Sequence, residues 1–365
     1  MKRFVYILPA IIMGLFFAQL ANAQFTETRD FTKRFKITEE TQIEIINKYG
    51  KIEVNTWDKD SVVIEISLRV EEKKLSRLEK RMEEIDFDFT NSQRFLIAKT
   101  IIKTSNSLLE KELLRFKESI LQTDSNIEID YVVWMPKRNN LKLENKFGNI
   151  IINELTGDTD ILLENGNLKA HKLTGKTTLN LSFADATVNY MEDAGIISNY
   201  SEWYLKFCNN LTIESKQSEF EIIEMNDLIA NSRRDKFRVR VASLVDATGS
   251  LSSFRINKIE DKANLRVSYG DVSLEEINPE FSNIFIESRN TDINLYFDET
   301  SDFSFEVIHT KASLGLSRKI TINEEEILDE KTGKTKIKAS FGKTTGKNEK
   351  LFINAEGGEI NIMKN

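Results

Sequence analysis

Few side chains in this sequence could act as nucleophiles, general bases or soft metal ligands. The 365 residues include 2 His and 1 Cys, and no glycine-rich phosphate loop, zinc-type Cys/His spacing or lipase-type serine elbow occurs. His171 and His309 lie far apart in the chain, so we predict that each is a surface or turn residue. The sequence therefore predicts a protein that is not an enzyme and has no catalytic residue, no cofactor and no metal site.

Carboxylates are the remaining candidates for chemistry. Asp185, Asp271 and Asp292 recur at or beside turn-forming positions, and carboxylate pairs cleave glycosidic bonds in many enzymes. Oxygen ligands also suit calcium, but the spaced nonapeptide calcium repeat is missing. Because Asp side chains accept hydrogen bonds from backbone N–H groups in turns, we predict a structural role for these residues. A carbohydrate-active enzyme is the alternative.

A basic segment interrupts an acidic chain, whose formal net charge is −7. In the segment Arg233–Arg240, alternation would bury Phe237 and Val239 and expose the cations between them. The candidate binding face comprises Lys236, Arg238, Arg240, Tyr200 and Tyr204. Arginine binds carboxylate and phosphate in bidentate geometry, so this face predicts an anionic glycan or an envelope protein as partner. A solvated strand face, paired with acids on adjacent strands, is the alternative.

Residues 1–23 predict a secretory signal peptide. Lys2 and Arg3 form its positive segment, Phe4–Leu20 is the apolar run, and Ala21–Ala23 is an A-x-A cleavage site; a retained membrane anchor is the alternative. Cleavage would change the formal charge from −7 to about −9, which argues against a nucleic acid partner. No later segment approaches transmembrane length. We therefore expect an exported protein of the periplasm or cell surface.

The single cysteine, Cys208, has no disulfide partner within the chain. Free cysteine is among the most buried residue types, so Cys208 is predicted to be a small apolar core residue. An intermolecular disulfide through Cys208 is the alternative.

Strand-type alternation dominates residues 24–140, the predicted N-terminal region. Apolar side chains alternate with polar ones along Val62–Val70 and Ile127–Met135. Helical spacing replaces this pattern in two places, after Glu71 and along Leu109–Ile120. The pattern predicts a strand-rich region that carries two amphipathic helices.

Residues 141–365 repeat a short motif. Asn145–Ile150 (NKFGNI) echoes Asn47–Ile52 (NKYGKI). Weaker copies place turn markers at Gly166, Ala184, Ser201, Ser218, Asp235, Gly249, Gly270, Thr291, Ala312, Gly342 and Gly358. Apolar residues two positions after most of these markers, including Phe237 and Leu251, would form one interior column. This spacing is typical of solenoids and predicts an all-β fold, a β-solenoid of about a dozen short coils. A two-sheet sandwich is the alternative.

Two segments also resemble a known family. Asn47–Val70 (NKYGKIEVNTWDKDSVVIEISLRV) and Tyr131–Gly157 (YVVWMPKRNNLKLENKFGNIIINELTG) are similar to a secreted bacterial family of unknown function that is labelled "putative adhesin". The resemblance implies a right-handed single-stranded β-helix and an envelope location. It supplies no established catalytic residues.

Together these patterns predict an exported, non-enzymatic β-solenoid that presents an extended strand face to a protein or glycan in the cell envelope. Two alternatives belong to other functional classes. The first is a carbohydrate-active β-helix enzyme. The second is a structural envelope protein that associates with itself.

Overall fold

Alternating apolar side chains organise the chain into strands that share one sheet. The computed structural model describes residues 24–103, 126–342 and 349–364. Within these ranges it contains a mixed β-sheet of 23 strands and a single α-helix. The buried faces of the strands join one hydrophobic cluster, because period-two alternation puts every second side chain on the same face.

Seven strands and the helix make up the N-terminal part of the sheet. They are β1 (Phe25–Lys36), β2 (Gln42–Lys48), β3 (Ile52–Trp57), β4 (Ser61–Glu72), α1 (Leu75–Glu84), β5 (Ile85–Asn91), β6 (Phe95–Ile102) and β7 (Asn126–Pro136). β4 pairs antiparallel with β1 and β7, and β5 pairs antiparallel with β6. Val62, Ile64 and Ile66 are buried, which confirms the strand predicted from their alternation.

The helix α1 begins where the apolar spacing changes from two to about four residues. Leu78 and Met82 lie one turn apart on the same side of α1 and are buried. The sequence predicts two amphipathic helices, whereas the structure shows one in the ranges that it describes. The second predicted helix, Leu109–Ile120, lies outside the described residues.

Eight strands form the central part of the sheet. They are β8 (Leu141–Lys146), β9 (Ile150–Leu155), β10 (Thr159–Asn199), β11 (Glu202–Lys216), β12 (Glu219–Arg233), β13 (Lys236–Ser250), β14 (Ser253–Ser268) and β15 (Asp271–Ile277). β8 and β9 both pair in parallel with β10, and from β10 to β15 each strand pairs in parallel with the next. Glu202 thus lies beside Glu219, and Glu219 beside Lys236. Parallel pairing also joins β2 to β8 and β3 to β9. These pairs connect the predicted N-terminal region, residues 24–140, to the strands that follow it.

The C-terminal strands do not follow chain order. They are β16 (Asn283–Arg289), β17 (Asp292–Phe297), β18 (Phe303–Thr310), β19 (Ser313–Leu316), β20 (Ile320–Asp329), β21 (Lys334–Phe341), β22 (Glu349–Glu356) and β23 (Glu359–Lys364). β22 lies between β16 and β18, and β23 lies between β17 and β19. β21 pairs antiparallel with both β18 and β20.

A residue in the left-handed backbone region marks most turns between parallel strands. These residues are Tyr49, Phe147, Asn165, Phe183, Tyr200, Gln217, Arg234, Leu251, Tyr269, Asn290 and Lys311. The next residue is small where strands come close: a Cβ atom at Gly148 would clash with the carbonyl oxygen of Gly50. The turn marker predicted at Gly249 is wrong, because Gly249 lies inside β13. Leu251 occupies that turn and is exposed, and Phe254 takes the buried position predicted for Leu251.

The predicted fold class is wrong. A right-handed single-stranded β-helix of a dozen coils would pair each strand in parallel with the next coil. Instead the sheet is mixed, with antiparallel pairs at both ends and C-terminal strands inserted out of chain order. It does not close, and β1 and β20 each pair with one described neighbour. Residue spacing reports where the chain bends, whereas strand direction depends on long-range pairing.

Candidate functional site

The segments that follow the positive-φ turns build one side of the sheet, which we call the strand face. It comprises β3, β9, the Leu168–Leu173 and Asp185–Met191 segments of β10, and the first halves of β11 to β14. These segments pair in parallel, so neighbours lie about 4.8 Å apart. Because alternate side chains point away from the core, rows of exposed side chains run across the strands.

One of these rows carries amides, an imidazole and cations, and it contains no carboxylate. We call it the outer row, and its members are Asn55, Asn153, His171, Asn189, Lys206, Ile223, Arg240 and Asn257. The Asn189 amide lies 3.1 Å from His171 Nδ1. At the other end of the row, Asn257 donates a hydrogen bond of 2.9 Å to the Glu275 carboxylate of β15, which lies beyond the row.

A shallow groove of about 510 Å³ opens at the N-terminal end of the outer row. Asn55, Asn153, His171 and Asn189 contribute polar groups to the groove, and Lys169 lines it beside them. Amides and imidazole donate and accept hydrogen bonds. The groove is therefore suited to a ligand that carries many hydroxyl groups.

The predicted binding residues lie on the strand face or at its rim. Lys236, Arg238 and Arg240 are exposed on β13, and the residues between them are buried, as their alternation predicts. Tyr204 and Arg238 lie on either side of Glu221 in the strand register. Tyr200 occupies a turn at the rim and stacks on Phe183, with 4.8 Å between ring centroids.

Acidic neighbours neutralise two of the three predicted cations. Glu219 forms ion pairs with both Lys236 and Arg238, and its hydrogen bond to Arg238 raises the pKa of that guanidinium. Arg240 and Lys206 are exposed and form no ion pair among the described residues. The cations of the outer row that are available to an external anion are therefore Arg240, which the sequence predicts, and Lys206, which it does not. Lys169, outside this row, is also exposed and forms no ion pair among the described residues.

Two aromatic rings adjoin the outer row. Tyr190 follows Asn189, Phe207 follows Lys206, and the two rings stack with centroids 5.2 Å apart. Both rings are half-buried, and the Lys172 ammonium lies 5.6 Å from the Tyr190 ring centroid. The solvent-exposed parts of these two rings can contact the apolar side of a sugar ring.

Sequence reasoning missed most of the outer row, including Asn153, His171 and Lys206. His171 is exposed, as predicted, but it belongs to a polar row. A signal was present in the sequence: Asn153, His171 and Asn189 occupy the same position in successive copies of the motif. Counting residues from each turn, as well as marking the turn, would have found them.

Three other titratable candidates, Cys208, Asp271 and Asp292, have structural surroundings, whereas Asp185 is exposed. Cys208 is buried, which confirms its prediction as a core residue, and burial raises the pKa of its thiol to about 12. Asp271 accepts a hydrogen bond of 2.6 Å from Ser253 Oγ, and Asp292 accepts one of 3.0 Å from the backbone N–H of Glu359. No group of three or more His, Cys, Asp or Glu side chains in the described ranges could hold a metal ion.

A second groove, of about 760 Å³, crosses the strand ends of β12, β13, β14, β16 and β22 and reaches the turn between β20 and β21. Its cations include Arg266 and Arg289. Arg266 lies within ion-pair distance of Asp246 and Glu287, and Arg289 of Glu356. This groove therefore presents balanced charge, unlike the outer row.

Comparisons with known proteins give limited information. No family model matches the chain, and no curated protein matches it. A solved structure described as a "putative cell adhesion protein", from Clostridium sporogenes, is 8% identical with a TM-score of 0.21, over 93% of this chain and 100% of that one. Another, described as a "Putative lipid binding protein", from Parabacteroides distasonis, is 11% identical with a TM-score of 0.28, over 73% and 93%. Similarity this weak assigns neither a fold nor a function.

The structure bears on membrane association in one respect. Among the residues that it describes, no helix is both long and apolar enough to cross a bilayer. The predicted signal peptide, residues 1–23, lies outside the described residues.

Proposed function

We propose that this protein is an exported, non-enzymatic binding module of the cell envelope, and that its strand face binds an extended anionic glycan. The outer row is the observation that carries this proposal. It places hydrogen-bonding or cationic side chains on seven of eight neighbouring strand segments, with Ile223 on the eighth. At the spacing of parallel strands, the row is about 34 Å long, which suits a linear polymer.

The side chains of the outer row match the chemistry of such a polymer. The amides of Asn55, Asn153 and Asn189 can exchange hydrogen bonds with hydroxyl groups. Lys206 and Arg240 can bind carboxylate or sulfate groups further along the chain. Tyr190 and Phe207 flank the middle of the row and supply a surface for sugar rings.

Carboxylates elsewhere on the strand face favour binding along the outer row. Asp185, Glu202 and Glu219 form a row close to the turns, and Glu221 follows Glu219 on β12. A negatively charged polymer would be repelled by these side chains. The outer row lies farther from the turns and offers unpaired cations, so the polymer is expected to follow it.

Removing the two unpaired cations of the outer row tests this function. We expect the K206A/R240A variant to bind sodium polygalacturonate at least tenfold more weakly than the wild-type protein, because each cation binds an anionic group of the polymer without an internal competitor. Binding should also weaken as salt is raised from about 50 to 500 mM, since exposed charges are screened. Isothermal titration calorimetry measures both effects, with dextran as the uncharged polymer.

The K216A/R233A variant is the matched control. Lys216 is the last residue of β11 and Arg233 is the last residue of β12, and both are exposed. The two residues are neighbours in the parallel register, and they lie before the turns, whereas the strand face lies after them. The proposed site would be contradicted if both variants lost affinity for polygalacturonate to the same extent, or if K206A/R240A bound it as tightly as the wild-type protein. Release of unsaturated or reducing sugars from the polymer would instead identify a carbohydrate-active enzyme.

A further inference from the structure

Strand β1 presents a basic free edge. It pairs with β4 along its whole length, and no other described strand pairs with it. Its core-side rings hold it in place, since Phe31 and Phe35 pack against Phe87 and Phe89 with centroids 5.0 and 5.9 Å apart. Lys33, Arg34 and Lys36 cluster in the second half of β1, and all three are exposed. None of them forms an ion pair among the described residues.

Strand β20 presents an acidic free edge at the other end of the sheet. It pairs only with β21 among the described strands. Glu324, Glu325 and Glu326 lie at its centre and are exposed; Glu324 pairs with Lys338 of β21. Apolar side chains of β20 are also exposed to solvent, and Ile327 is 64% exposed.

Free edges of this kind pair readily with other strands, because their backbone N–H and C=O groups have no partner. β20 already has a basic neighbour, since β21 carries Lys334, Lys336 and Lys338. A second basic strand on its free edge would repeat that arrangement. β1 supplies such a strand, and its Phe31 or Phe35 would lie near the exposed Ile327.

We infer that copies of this chain associate head to tail, with the free edge of β1 in one copy pairing with the free edge of β20 in the next. Lys33 and Arg34 would lie opposite the Glu324–Glu326 segment. In the register that centres Lys33 on Glu325, Arg34 would lie opposite Glu324 in antiparallel pairing and opposite Glu326 in parallel pairing. Because the two surfaces differ, the contact is heterologous, and an open assembly would keep a free β1 at one end and a free β20 at the other.

Charge argues against the symmetric alternatives. Pairing β20 with a second β20 would bring two sets of three glutamates together, and pairing β1 with a second β1 would bring lysines and arginines together. Like charges placed opposite each other destabilise strand pairs. Pairing of the basic edge of β1 with the acidic edge of β20 is therefore favoured over pairing of two identical edges.

Charge reversal tests this contact in the purified protein. We expect the wild-type protein to form dimers and longer species at low salt that dissociate as salt is raised, as measured by sedimentation velocity over a range of concentrations. K33E/R34E and E325K/E326K should each weaken this association at least tenfold. The combined variant K33E/R34E/E325K/E326K should restore it, because the charges are exchanged between the two edges.

A second measurement locates the contact. Carbodiimide treatment of an equal mixture of ¹⁵N-labelled and unlabelled protein should couple Lys33 of one copy to a glutamate of Glu324–Glu326 in another. Circular dichroism of each variant should match that of the wild-type protein. A wild-type protein that stays monomeric at low salt would overturn the inference. So would association that either reversal leaves unchanged, or failure of the combined variant to restore it.

Discussion

Replacing Phe237 by alanine is expected to lower the free energy of unfolding by about 3–5 kcal/mol, the usual cost of truncating a buried phenylalanine. Phe237 lies in the middle of a buried aromatic column. Its ring centroid is 4.8 Å from that of Phe220 and 4.9 Å from that of Phe254, and Trp203 continues the stack beyond Phe220. The rings on either side are held by their own strands, so the cavity cannot collapse easily.

Equilibrium unfolding in urea measures this loss, and Phe183→Ala is the matched control. Phe183 also stacks on an aromatic ring, but it lies at a turn and is 60% exposed. Its truncation should change the free energy of unfolding by no more than about 0.5 kcal/mol, as is usual for exposed side chains. Similar losses at the two positions would show that the buried column does not carry the stability assigned to it.

Replacing Asp235 by alanine is the second substitution with a large expected effect. The buried Asp235 carboxylate accepts hydrogen bonds of 2.7 Å from the Ser218 backbone N–H, 2.7 Å from Ser215 Oγ and 2.8 Å from the Arg233 backbone N–H. Alanine would leave these donors without an acceptor. We expect a loss of about 3 kcal/mol in the free energy of unfolding, since one unsatisfied buried group costs about 1–3 kcal/mol.

The same carboxylate predicts how stability changes with pH. Burial raises the pKa of Asp235 above its ordinary value of 3.8, although the hydrogen bonds that it accepts oppose this shift. The folded protein therefore holds the Asp235 proton at pH values where the unfolded chain has released it. The contribution of Asp235 to stability must increase as pH falls from neutrality through the raised pKa, and it levels off below the unfolded value.

The Asp235→Asn variant isolates this contribution because asparagine does not titrate. The free energy of unfolding of the wild-type protein, minus that of Asp235→Asn, should increase as pH is lowered from 7 towards about 4. Parallel pH profiles for the two proteins would contradict the raised pKa. A difference that decreases on acidification would show that the hydrogen bonds outweigh burial.

Local alternation in the sequence was sufficient to predict several strands and their buried faces. Val62, Ile64 and Ile66 lie in β4 with their side chains buried, and Phe237 is buried between exposed cations. Such predictions succeed because a strand exposes alternate side chains to opposite surfaces, whatever its partner is. The burial of Cys208 follows from the same local preference.

The turns were harder to predict because their marker is not a residue type. Glycine relieves a close backbone approach at Gly148, but the left-handed residues at the turns include Phe183, Tyr200 and Leu251. A search for small residues therefore selected Gly249 and missed the turn at Leu251. The backbone strain of a non-glycine residue at positive φ is offset by the strand pairing on either side.

The sequence by itself determined that this is a strand-rich protein with alternating faces, one buried cysteine and a basic segment in an acidic chain. Only the tertiary structure decided that the sheet is mixed, that β22 and β23 insert between earlier strands, and that Lys206 joins Arg240 in one row. Local patterns depend on residues that are close in the chain. Strand neighbours, and the rows that cross them, depend on backbone hydrogen bonds between residues that are far apart in sequence.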